Sequence, residues 1–154
     1  MRDQVEELRR ATQQFFRRFG ALAAEGTPCG KPLAMGHAHA LMVLRARGEM
    51  TQQALGAELC IDKSNVARLC AKMIAAHHLS QRECERDGRS RLVSLTPRGA
   101  RLADEVDDAS RARFRALLDD IPRPHRAEVV SGMKHLVAAL EGARPARAAQ
   151  GAAP

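Results

Sequence analysis

The chain has no tryptophan and no tyrosine, and four phenylalanines are its whole aromatic complement. That shortage excludes a protein that holds single strands by stacking bases on aromatic platforms. Four cysteines stand at 29, 60, 70 and 84, and no two form a Cys-x-x-Cys pair. The usual zinc-ribbon and thioredoxin patterns therefore fail. No apolar run approaches the roughly 20 residues of a membrane span. The opening stretch MRDQVEELRR is charged throughout and contains no apolar signal segment. The expectation is a soluble, cytoplasmic protein with reduced thiols and no membrane partner.

Catalytic patterns are missing too. No Ser/His/Asp spacing and no Gly-rich phosphate loop stands out, and the glycines are scattered in turns. Asp107-Asp108 and Asp119-Asp120 are neighbours on helices, so each pair points to two sides and makes a poor dyad. The chain is expected not to be an enzyme and to need no cofactor.

Charge and helix formers are abundant. Lys and Arg total 25 against 18 Asp and Glu, a formal net charge of +7. A basic balance favours a polyanionic partner. Ala, Leu, Arg and Glu dominate, which favours helices. Residues 2–24 read as one helix, with Val5, Leu8, Thr12, Phe15, Phe19 and Leu22 alternating at three- and four-residue spacing and Phe16 widening the stripe. Such a stripe needs a partner, within the chain or across a dimer. The break EGTPCGKP follows at 25–32, then a helix over about 34–47, with Gly48 as its stop.

Thr51 is placed to cap a helix over 52–59, with Met50 and Leu55 as a hydrophobic staple. Asp62 is placed to cap the next helix, which runs to about 76. Its Val66, Leu69, Cys70, Met73 and Ile74 form an apolar stripe. LSQREC and RLVSL then flank ERDGRS, a hairpin with Asp87-Gly88 as the turn signal. Thr96-Pro97 opens a long helix. IPRPHR breaks it, and a last helix covers about 124–141. The order helix, short turn, helix, hairpin is a winged helix-turn-helix.

In that arrangement the second helix offers its outer face to base edges. Lys63, Ser64, Asn65, Ala67, Arg68 and Lys72 remain once the apolar stripe is removed. Asn pairs in two-pronged fashion with adenine, Arg with guanine, and Ser with several edges. Lys63 and Lys72 suit phosphates. Thr51 and Gln52 open the preceding helix, where backbone N–H groups favour a phosphate. In the wing, Arg86, Arg89 and Arg91 surround the turn and are suited to a narrow minor groove. Asp87 is assigned to orient Arg89.

The segment MTQQALGAELCIDKSNVARLCAKMIAAHHLSQRECERDGRSRLVSLTPRGARL, residues 50–102, resembles the winged helix of the MarR family of bacterial transcription regulators. IDKSNVARL, the Asp87-x-Arg89 wing and RLVSLTPRG carry the resemblance. It implies a mainly α fold: a winged helix-turn-helix with a small β-hairpin wing and a helical dimerisation lobe formed by the N- and C-terminal helices. The divisions are 1–48 for the N-terminal helices, 49–97 for the DNA-binding domain, 98–141 for the C-terminal dimerisation helices, and 142–154 for a disordered tail.

The implied function is that of a homodimer on a pseudo-palindromic double-stranded DNA operator, a repressor released by a small aromatic or phenolic effector or by thiol oxidation. The alternative is a winged-helix interaction module, an anti-repressor, that has lost DNA binding. The family's ligand pocket lies between dimer lobe and winged helix, which nominates Phe16, Phe19, His37, His39 and Met42. Redox candidates are Cys29, with Lys31 beside it to lower its pKa, and Cys84 in the wing. Cys60 and Cys70 read as small core residues. His37-x-His39 and His77-His78 diverge on a helix, so no metal site is expected. Three positions depart from the family pattern. Cys60 and His78 replace common glycines, with backbone strain if either needs a positive φ. Ala67 replaces a frequent Thr.

Overall fold

A computed structural model describes residues 1–22, 26–84 and 87–142, with only the backbone at Arg2, Asp87, Gly88 and Arg89. The predicted tail, Arg86 and part of the 25–32 break lie outside the described residues. The chain divides into two compact units, Met1–Arg113 and Phe114–Pro154.

The first unit begins with α1 (Arg2–Phe19). The periodicity predicts a helix to residue 24, but it stops five residues earlier. Gly20 takes a left-handed conformation, φ 87°, and its N–H bonds back to the Phe16 carbonyl. Glycine enters that region without a Cβ clash, so it ends the helix although the apolar spacing continues. Leu22 thus falls off the stripe. Phe15 and Phe19 stack, with ring centroids 5.1 Å apart. Val5 and Leu8 remain 62% and 55% exposed, and Phe15 and Phe16 are exposed beside them.

Next come α2 (Met35–Arg47), β1 (Met50–Thr51), α3 (Gln52–Leu59), α4 (Lys63–Ala75), β2 (Leu79–Cys84), β3 (Asp87–Leu95) and α5 (Pro97–Asp120). The residues of α5 from Phe114 onward belong to the second unit. The sheet is antiparallel in the order β1-β3-β2. Strand β1 was not foreseen, since two residues carry no periodicity. It pairs Met50 with Val93 and Thr51 with Leu92. One core joins these elements. Leu41 and Leu44 of α2, Leu55 of α3, Val66, Cys70 and Met73 of α4, Val93 of β3, and Ala103 and Val106 of α5 are all buried. Each fully buried aliphatic side chain contributes about 1.5–3 kcal/mol.

The helix-turn-helix is built by local chemistry. The Thr51 hydroxyl accepts from Ala54 N–H at 3.1 Å and starts α3. Helix α3 ends on Cys60, which is left-handed at φ 58°. The N–H groups of Cys60 and Ile61 return to the Ala57 and Gly56 carbonyls at 3.2 and 3.0 Å, which is a Schellman motif. Gly56 then lets α4 approach, because a Cβ there would lie 3.2 Å from Val66 Cγ1.

Helix α4 closes with a second Schellman motif, and its left-handed residue is His77, φ 59°. His77 and His78 N–H groups bond to the Ile74 and Met73 carbonyls, both at 2.9 Å. The strain expected at His78 therefore sits one residue earlier. A side chain at a left-handed position costs roughly 1–2 kcal/mol, so the chain carries that cost at the C-terminal end of each helix of the motif. Cys60 is exposed rather than in the core, because the left-handed turn carries its side chain outward.

The second unit holds the end of α5, a 3-10 turn (Arg123–His125) and α6 (Arg126–Gly142). Arg126 closes the C-terminus of α5. Its Nε donates to the Ile121 carbonyl at 3.0 Å and its Nη2 to the Asp119 carbonyl at 3.2 Å. Phe114, Leu118, Val129, Val130, Met133, Val137 and Leu140 are exposed in this unit. No helix among the described residues is long and apolar enough to cross a membrane.

Candidate nucleic-acid interface

The outer face of α4 is open. Lys63, Ser64, Asn65, Ala67, Arg68 and Lys72 are exposed, while Val66, Cys70 and Met73 fill the core from the opposite face. Asp62 organises the start of this face. Its carboxylate accepts from Asn65 N–H at 2.8 Å and from the Ser64 hydroxyl at 2.7 Å. It also accepts from the Asn65 side-chain amide. These donors, the Asn65 backbone N–H first and the Ser64 hydroxyl next, hold the Asp62 carboxyl below its ordinary pKa. The Asn65 side-chain oxygen in turn accepts from Arg68 Nη2 at 2.7 Å. Sequence reading saw Asp62 only as a cap; its reach to two further side chains needs coordinates.

Thr51, Gln52, Gly56, Ile61, Lys63 and Arg91 line a groove of about 610 Å³ between α3, the start of α4 and β3. It therefore gathers both residues proposed at the start of α3, the first lysine of α4 and one wing arginine. Behind Gln52 lies the buried Cys70 thiol, whose pKa burial raises.

The wing is bulged. Pairing runs from Leu79↔Leu95 to Glu83↔Arg91, then shifts to Cys84↔Asp87. Asp87-Gly88 is thus the start of β3 and not the turn itself. The register shifts between Glu83 and Cys84, so the DG signal falls inside β3. The register sets Glu83 opposite Arg91, an opposite-charge pair across the strands. The side chains of Asp87 and Arg89 lie outside the described residues, and so does their expected partnership. At the wing base, Arg82 Nε donates to Glu49 Oε2 at 3.0 Å and a second bond joins the same two side chains.

The effector candidates take different settings among the described residues. His39 points outward from α2, Phe16 is half exposed on α1, and Met42 packs against the core. Neither of the two described cavities is lined by any of the five. Cys29 is half-buried with its Sγ 3.0 Å from Thr27 Oγ1. Lys31 directs its ammonium to Glu105, 2.9 Å away. Cys84 is half-buried on β2.

His37 does something the sequence did not signal. Its Nε2 lies 3.0 Å from Nδ1 of buried His78, 41 positions away. Burial, then the neighbouring His78, lowers the His37 pKa. Burial, then Arg98 and His77, lowers that of His78. A depressed histidine leaves the unfolded chain binding more protons below the ordinary value of 6.5, so stability rises with pH there. The contribution is complete above 6.5 and is lost as pH falls through 6.5 toward the folded-state values. Urea midpoints are therefore expected to be level from pH 8 to 7 and to fall below 6.5. The slope is at most about 1.4 kcal/mol per pH unit for each group. The double variant His37→Gln/His78→Gln should lose that part of the slope. An unchanged slope would remove the pair from the acid response.

Comparison with known proteins agrees with this geometry. Residues 32–90, from the approach to α2 into the wing, match the family model described as MarR family. The HTH-type transcriptional regulator YdgG of Bacillus subtilis (strain 168) is 24% identical over 102 residues, 65% of this chain and 67% of the relative. The structure of Streptococcus pneumoniae FabT in complex with DNA superposes with a TM-score of 0.69 at 14% identity, covering 92% of this chain and 99% of that one. Bordetella bronchiseptica BpsR, whose DNA binding is regulated by 6-hydroxynicotinic acid, gives 0.66 at 21% identity over 88% and 98%. The helix-turn-helix and the first part of the wing thus lie within the stretch that matches the MarR family model, and the fold is that of the solved winged-helix regulators.

Proposed function

We propose that the protein is a homodimeric repressor that reads a pseudo-palindromic operator with α4 and steadies itself with the wing. One observation carries the reading: α4 buries Val66, Cys70 and Met73 in the core and exposes a polar, basic face whose first turn is already ordered by Asp62. Lys63, Lys72 and Arg91 would meet phosphates, and Arg68 would meet a base edge. Thr51 and Gln52 would bring the start of α3 to the backbone. The test is titration of fluorescent random-sequence duplex at several salt concentrations. A steep fall of affinity with salt is expected; salt-independent or absent binding would favour the anti-repressor alternative.

Exposed Val5 and Leu8 of α1 and exposed Val129, Met133 and Val137 of the second unit support the dimer, because exposed apolar patches of this kind mark association surfaces. The double variant Val5→Asp/Val137→Asp is expected to sediment as a monomer at micromolar concentration while the wild type sediments as a dimer. Dimeric sedimentation by both would take these faces out of the interface. For release, an aromatic acid is the favoured effector class, by analogy with BpsR. 6-Hydroxynicotinate added to the duplex titration is the first probe, and peroxide tests the thiol route.

A further inference from the structure

We propose that Asn65 is a positioning residue for Arg68 and does not itself read a base. The proposal rests on α4 being the reading helix and deepens it by separating two side chains that sequence alone gives equal roles. An Asn that reads adenine must present its amide N–H and its carbonyl oxygen together to N6 and N7. Here one N–H and one oxygen lone pair of the Asn65 amide are already engaged by Asp62 and Arg68, which fixes where the amide points. The NH2 group donates to Asp62 Oδ2, and Oδ1 accepts from Arg68 Nη2 at 2.7 Å. The amide plane is therefore held between an anion on one side and a cation on the other. Hydrogen bonds to ionised groups are about twice as strong as neutral ones.

Arg68 differs from Asn65. It has five N–H donors in a rigid fork, and the bond to Asn65 uses one. A two-pronged edge remains for O6 and N7 of a guanine. An exposed arginine otherwise loses much rotamer freedom on binding; the tether to Asn65 imposes part of that order beforehand. The chain Asp62–Asn65–Arg68 thus uses one exposed carboxylate to aim one guanidinium. Ser64 shares Asp62 through its donor and keeps its oxygen lone pairs.

The test is selection of bound duplexes from a random pool by the full-length protein and five variants: Asn65→Ala, Arg68→Ala, the double Ala variant, Asn65→Asp and the swap Asp62→Asn/Asn65→Asp. Asn caps helices as well as Asp, and an Asp in the first turn suits the helix dipole, so the swap keeps α4 intact. It also restores the chain in reverse, with Asn at 62 donating to a carboxylate that accepts from Arg68. Arg68→Ala is expected to flatten preference at one G·C pair by roughly tenfold to a hundredfold. Asn65→Ala should weaken the same pair by less and should add nothing in the Arg68→Ala background. Asn65→Asp should fall short of wild type, because two carboxylates then face each other, and the swap should recover the preference.

Loss of a separate A·T preference in Asn65→Ala, with no recovery in the swap, would overturn the proposal and leave DNA reading by α4 standing. A wild-type protein that selects no duplex would overturn both.

Discussion

Replacing Gly99 by alanine is expected to destabilise the protein by about 3 kcal/mol or more, although helix propensity points the other way. Alanine in a helix is favoured over glycine by about 1 kcal/mol. The obstacle is one contact. A Cβ on Gly99 would lie 2.0 Å from the His78 carbonyl oxygen, 2.9 Å from its carbon and 3.2 Å from its Cα. All three are backbone atoms, so no rotamer change relieves the overlap. The His78 backbone is also fixed. Its N–H bonds to the Met73 carbonyl, its own carbonyl accepts from Thr96 N–H at 3.1 Å, and the preceding residue is left-handed. Thr96 adds two bonds from its hydroxyl, donating to the His77 carbonyl at 2.7 Å and accepting from Gly99 N–H at 3.0 Å. The end of α4, the base of the wing and the start of α5 meet there. Overpacking of a site that cannot yield costs typically 1–3 kcal/mol and occasionally more. Urea denaturation measures it, with Ala100→Gly on the exposed side of the same helix as the control, expected to cost about 1 kcal/mol. A Gly99→Ala variant as stable as wild type would mean that α5 is not seated on His78.

This junction also shows what could be read from residues in order and what could not. The Thr96 cap, the Asp62 cap and the apolar stripe of α4 are written in neighbouring residues, so their structures follow from local chemistry. At Cys60, where the resemblance puts a common glycine, the conditional expectation of a positive φ is met. The same expectation landed on His78 instead of His77, since a one-residue choice between adjacent histidines depends on where α4 releases its last carbonyl. The Gly20 stop was missed because apolar spacing continued past it. The His37–His78 pair, the seat of Gly99 and the clamp of Arg82 on Glu49 join residues 41, 21 and 33 positions apart. No periodicity records such meetings; they are set when α2, α4 and the wing pack together. The outer face of α4 lies between these cases. Its composition was evident, but the bonds that set Asn65 apart from Arg68 depend on side-chain orientation.

The triple variant Lys63→Glu/Lys72→Glu/Arg91→Gln is expected to lose random-duplex binding by at least about a thousandfold at low salt, while keeping its fold. All three side chains are exposed, and no core contact depends on them. Arg91 is changed to Gln because Glu there would face Glu83 across the strands. Each phosphate neutralised adds about 0.9 to the slope of log affinity against log salt. Three such contacts per protomer make six in the proposed two-fold assembly, so the slope should fall by roughly five. The reversed charges then add repulsion at close range, which is screened beyond about 10 Å in 0.1 M salt. Two effects therefore change together, the affinity at low salt and its salt dependence, and damage to folding alone would lower apparent affinity without altering the slope of the remaining active fraction. Measured by fluorescence anisotropy between 50 and 200 mM salt (about the range over which six to ten contacts lose 10³–10⁵ in affinity), a wild-type slope in the triple variant would place the DNA face elsewhere on the molecule.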